Sequence, residues 1–160
     1  IMDMPPRPRA ERLLNRFLLL RAYLFLGLIE AGIAMAAFFW FLYANGWTWG
    51  APLAWTDPLY RQATTVTFAA IVMAQVANVF ACRSEHVPAF RLGFFSNPFI
   101  LGGIAVELAL LLLLVYTPLG HLILGTEPLP AWVWGPLILG AAGLLLAEEL
   151  RKFIAARSST

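Results

Sequence analysis

A chain of 160 residues that is 61% hydrophobic and only 12% charged falls outside the soluble class, where about a quarter of residues are charged. The net charge of +2 says little by itself, and the single cysteine, Cys82, excludes an intramolecular disulfide and a cysteine-based metal site. Cys82 reads as a small buried thiol.

The opening stretch, which begins IMDMPPRPRAERLL, reads as a cytoplasmic lead-in over residues 1–16, and its first isoleucine reads as a mid-chain start. The apolar run behind it is far longer than the roughly 7–15 residues of a signal-peptide core. Four apolar segments then follow, at about 17–43, 62–82, 98–116 and 131–156. Each offers the ~20 residues that a hydrocarbon core of about 30 Å demands, and in lipid only a helix satisfies its backbone within one segment. The expected fold is therefore all-α: a single membrane domain over 1–160, built as a four-helix transmembrane bundle. The intervening stretches 44–58, 83–98 and 117–130 carry the prolines, glycines and charges of turns. Ser96 or Asn97 can cap the third helix, with Pro98 in its first turn, and Pro136 can tilt the start of the fourth.

The arginines set the orientation. With the N-terminus in the cytoplasm, 10 of the 11 Lys and Arg residues lie inside and only Arg61 outside, a strong positive-inside bias. The N-terminal arginines read as flanking a membrane helix rather than as a nucleic-acid contact. All six tryptophans (40, 47, 49, 55, 132 and 134) then gather at the outer interface as one aromatic belt.

Polar residues at membrane depth carry the functional signal. Taken at 100° per residue, Thr64, Thr67, Ile71, Gln75, Asn78 and Cys82 form one narrow stripe on the second helix, expected to face protein. Gln75 and Asn78 then have two readings. They are interhelical hydrogen bonds worth under about 2 kcal/mol each, or ligands, since amide oxygens are hard donors for Na⁺, K⁺ or Ca²⁺. Glu107 stands mid-helix with Gly103 one turn before it, where another helix could approach closely, and it needs a cation, a proton or a partner helix. Glu30, among Gly27, Ala31, Gly32 and Ala34, reads as a hydrogen-bonded residue of a tight interface. AEELRKFIAAR reads as a solvated, amphipathic helix end with Glu148 pairing to Arg151 and Lys152, and His86 and His121 read as surface loop residues. No phosphate-cradling loop, H-E-x-x-H or Ser/His/Asp arrangement can be assembled, so the chain carries no visible catalytic machinery.

Several stretches, in order, resemble the C-terminal membrane block of type II P-type cation-transporting ATPases, helices seven to ten. IMDMPPRPRAERLL resembles the segment after that family's sixth helix, and YRQATTVTFAAIVMAQVANVFACRSE its eighth helix and following loop. FRLGFFSNPFILGGI resembles the start of the ninth, LLVYTPLGHLILGTEPLPAWVW the ninth-to-tenth link, and AEELRKFIAAR the closing helix. The resemblance implies that Gln75 stands where the eighth helix contributes to the cation sites, and that Asn78 matches a position carrying Asn or Asp. It also implies that Glu107 matches an acidic position tied to an additional sodium site. Calcium pumps carry a carboxylate where Gln75 stands, a departure that weighs against calcium. The D-K-T-G motif is absent, so the chain hydrolyses no ATP by itself; a parent pump would use ATP and Mg²⁺. The implied partners are the remaining helices and cytoplasmic domains of such a pump, the bilayer and the transported cation, with no nucleic acid. The implied location is the plasma (inner) membrane with both termini cytoplasmic. The alternative is a free-standing four-helix membrane protein: a regulator, an assembly partner or a small oligomeric proton-coupled exporter.

Overall fold

The computed structural model describes residues 20–84, 87 and 89–158. The lead-in over 1–16, the start of the first helix and His86 lie outside the described residues. Within them the chain is all-helical, with four helices long and apolar enough to cross a membrane.

A π-helical stretch, Arg21–Leu26, runs directly into α1, Gly27–Ala44. The second spanning helix, α2, is Pro58–Ala81 and begins earlier than the apolar run because Asp57 caps it: its carboxylate accepts from the Leu59 N–H at 2.8 Å, with Pro58 at the first position. A single turn, α3 (Ala89–Leu92), precedes α4, Pro98–Tyr116. Of the two candidate caps for α4, Asn97 is the one used, its side-chain oxygen accepting from Phe99 at 3.0 Å and Ile100 at 3.4 Å. Ser96 instead accepts from the Arg83 guanidinium at 2.8 Å.

A short helix, α5 (Pro118–Leu124), ends at Gly125, whose left-handed φ of 66° suits glycine. The chain turns back at Gly120, where a Cβ would collide with the Leu114 carbonyl, so only glycine fits. His121, expected in a loop, lies on α5 with its ring nitrogen 3.1 Å from the Val115 carbonyl oxygen. A 3-10 turn, Ala131–Val133, leads into α6, Trp134–Ser158.

The central helix is α2. It packs between α1 and α6, with α4 lying more lightly against it. In lipid there is little hydrophobic gain from joining two apolar helices, so close packing of small residues has to drive the contact. The sequence of α2 supplies this: Ala63, Ala69, Ala70, Ala74, Ala77 and Ala81 are all buried. The expected protein-facing stripe holds only in part: Gln75 and Asn78 reach Glu30 of α1, but the stripe is not the buried face. The buried face is the alanine row, whereas Ile71, Gln75 and Cys82 on the expected stripe are exposed. The threonines misled because their hydroxyls need no neighbour. Thr64 donates to the Arg61 carbonyl at 2.9 Å and Thr67 to that of Ala63 at 3.0 Å.

Two apolar clusters form around α2. One, with Phe41, Leu42, Val66, Leu111, Val115 and Val133, lies toward the tryptophan-rich end. There Trp132 stacks on Phe41 at 5.9 Å and meets Trp40 edge-on at 5.2 Å, while the Trp134 indole donates to the Tyr116 hydroxyl at 2.8 Å. The other, with Leu26, Ala74, Ala77, Ala141 and Leu144, lies toward the opposite end. Large apolar side chains such as Leu28, Met35, Val106 and Leu139 stay exposed, as a surface meeting lipid or further helices requires.

Candidate cation site

Glu30 and the two amides of α2 meet beside the second apolar cluster. The Gln75 Nε2 donates to Glu30 Oε1 at 2.7 Å, and the Asn78 Nδ2 donates to Glu30 Oε2 at 3.0 Å. One carboxylate thus clamps two amides that stand three residues apart, on one face of the helix. The spacing works because α1 and α2 run antiparallel. Glu30 is seven residues from the start of the span at Tyr23, and Asn78 three and Gln75 six from the end of α2, so at 1.5 Å per residue all three lie within about 10 Å of the same end. The alanine row brings the two backbones near enough for the side chains to touch.

The clamp leaves an imbalance. Each amide has donated an N–H, and Asn78 Oδ1 is buried without a hydrogen-bond partner. A buried acceptor without a donor costs about 1–3 kcal/mol, and here it sits beside a carboxylate. That combination, an unpartnered oxygen near a carboxyl group, suits a cation. Gln75 itself is exposed at the edge of the bundle.

Glu107 does not join this group. It lies on α4, lining a groove of about 290 Å³ with Phe68 and Val72 of α2 and Val106, Leu110 and Leu114 of its own helix. The space a Cβ would take at Gly103 is empty, so the expected close helix approach at that glycine is not made among the described residues.

The end of α6 corrects another expectation. Three charged residues of AEELRKFI are withdrawn from solvent: Glu148, Glu149 and Lys152 are buried, while Leu150, Phe153 and Ile154 stay exposed. Glu148 pairs with Arg151 through two bonds of 2.8 Å, as expected, but Lys152 pairs with Glu149 at 2.9 Å rather than with Glu148. Lys152 also donates to the Ala81 carbonyl at 3.0 Å, one of the orphan carbonyls ending α2, and Glu149 accepts from the Ala89 N–H at 3.0 Å. One Lys–Glu pair therefore ties together the end of α2, the start of α3 and α6. At the other end, Arg61 plays a similar part, reaching Glu127 at 3.0 Å and the Gly125 carbonyl at 3.2 Å.

The fold and this cluster define an integral membrane bundle of four spanning helices with a carboxylate–amide group at membrane depth. The chain belongs to the cation-transporting ATPase family, as its C-terminal membrane region: a family profile described as "Cation transporting ATPase, C-terminus" matches residues 1–154. It is 26% identical over 160 residues to "Calcium-transporting ATPase 1" of Yarrowia lipolytica, covering 100% of this chain and 16% of the relative. It is 29% identical over 134 residues to "Probable cation-transporting ATPase F" of Mycobacterium tuberculosis, covering 84% and 13%. Against "Potassium-transporting ATPase alpha chain 1" of Xenopus laevis it is 25% identical over 178 residues, covering 95% and 17%. The chain thus spans about one-sixth or less of the length of these relatives.

Sequence reasoning singled out Gln75 and Asn78 but left Glu30 as an interface residue. Its place at mid-helix among small residues was the available signal, and the partners 45 and 48 positions away were not.

Proposed function

We propose that this chain works within a larger cation-transporting pump, as the membrane block that supports the transport helices and supplies side-chain oxygens to the cation path. The observation carrying this reading is the Glu30–Gln75–Asn78 clamp with its buried, unpartnered Asn78 oxygen. Two or three oxygens fall short of the 6–8 that Ca²⁺ takes, so the remaining ligands come from other helices of the pump. Gln75 and Asn78 bring no charge of their own, so the clamp offers at most one carboxylate, which favours a monovalent cation over calcium at this half of the site. Glu107, facing its own groove, is the candidate for a separate cation position.

The chain has no D-K-T-G sequence, so the aspartyl-phosphate chemistry is assigned to the rest of the pump. ATP and Mg²⁺ belong to the cytoplasmic domains of the pump. The proposed orientation has both termini cytoplasmic, supported by the arginine distribution; the proposed membrane is the plasma membrane.

The test is Gln75→Ala in the whole pump. The cation concentration needed for half-maximal phosphorylation rises; unchanged cation dependence would reduce Gln75 to packing.

A further inference from the structure

An amide is ambiguous: it can turn either its oxygen or its nitrogen toward a neighbour. A carboxylate is not, since in its ionised form it only accepts. Glu30 places both of its oxygens against Gln75 and Asn78, at 2.7 and 3.0 Å. Both amides must answer with nitrogen. With nitrogen engaged by Glu30, each amide keeps its oxygen for another partner. For Asn78 that oxygen is buried and has no partner.

We propose that Glu30 is a positioning residue for the cation path: by spending the N–H donors of Gln75 and Asn78, it fixes their oxygens as the ligating ends. It also supplies the negative charge that draws a cation to them. This rests on the reading that Gln75 and Asn78 face the transported cation. A tight helix–helix contact alone would need neither the charge nor two donors on one acceptor, because apolar small residues already join α1 and α2 here.

The two roles rank two substitutions in opposite order. Glu30→Gln keeps size and shape but has only one oxygen; its N–H₂ opposes one of the two amides, which must turn over and offer nitrogen where its oxygen stood. Glu30→Asp keeps charge and acceptor character but is shorter by one methylene. The experiment titrates Na⁺, K⁺ and Ca²⁺ separately against phosphorylation of the whole pump. It compares wild type, E30Q, E30D, Q75A and N78A, with the maximal phosphorylation level recorded alongside the half-saturating concentration.

Positioning predicts that E30Q raises the half-saturating concentration about tenfold or more, the equivalent of ~1.4 kcal/mol, at unchanged maximum. E30D shifts it less. An effect of E30D as large as or larger than that of E30Q overturns the proposal, since it marks a role in packing. Should E30Q not accumulate, E30D carries the test alone: near-wild-type dependence supports the proposal and a shift matching that of Q75A overturns it. If Q75A and N78A shift the dependence and E30Q does not, the positioning role fails while the amide site stands. If neither amide variant shifts it, the underlying reading fails as well.

Discussion

Lys152→Met isolates the tie that joins the ends of α2, α3 and α6. Lys152 is 2% exposed and Glu149 9% exposed, so the change leaves a buried carboxylate with one remaining donor, the Ala89 N–H. It also leaves the Ala81 carbonyl without its Lys152 donor. Breaking a buried ion pair from one side costs about 3–5 kcal/mol. The pair lies close to a helix end, where the freed carboxylate can reach water by a small movement, so we expect the lower part of that range, about 3 kcal/mol. The comparison needs four proteins: wild type, K152M, E149Q and E149Q/K152M, unfolded reversibly in mixed detergent micelles and followed by far-UV circular dichroism. Glu149→Gln in the K152M background removes the uncompensated charge but keeps an oxygen for Ala89, so the double variant should be more stable than K152M. The coupling between the two positions should exceed about 1 kcal/mol, as for residues in direct contact. K152M within ~0.5 kcal/mol of wild type, or strictly additive variants, would refute the view that this pair is buried and structural.

Two further substitutions probe the fold. Gly120→Ala drives a Cβ into the Leu114 carbonyl and should lower stability by about 3 kcal/mol in the same micelle assay, because backbone on the other side leaves no flexible group to yield. Asn97→Ala removes the side-chain oxygen that accepts from Phe99 and Ile100, and should cost about 1 kcal/mol, with faster amide exchange confined to the first turn of α4.

How much of this was legible depended on how far apart the interacting residues were in sequence. The four spanning helices follow from apolar length, a property of consecutive residues, and Asn97 as a cap is a contact over two or three positions. The buried face of α2 was misread because polarity was ranked above size. The hydroxyls of Thr64 and Thr67 bond within their own helix, and the alanines pack. Gln75 and Asn78 were placed on one face by helical geometry alone, but their partner Glu30 is on another helix. The end of α6 failed for the same reason. Its charges were paired only with neighbours on the helix, while Lys152 bonds to Ala81, 71 residues away, and so is drawn out of water.

The assignment of the Glu30–Gln75–Asn78 clamp to the cation path stands on Asn78. Equilibrium binding of Na⁺, K⁺ and Ca²⁺ to the whole pump, measured without nucleotide on wild type and Asn78→Ala, asks whether its buried oxygen is a ligand. Loss of that oxygen should weaken binding of the transported cation about tenfold and leave the number of sites unchanged. Wild-type affinity in the variant, with the protein folded, would contradict the assignment of the clamp to the cation path.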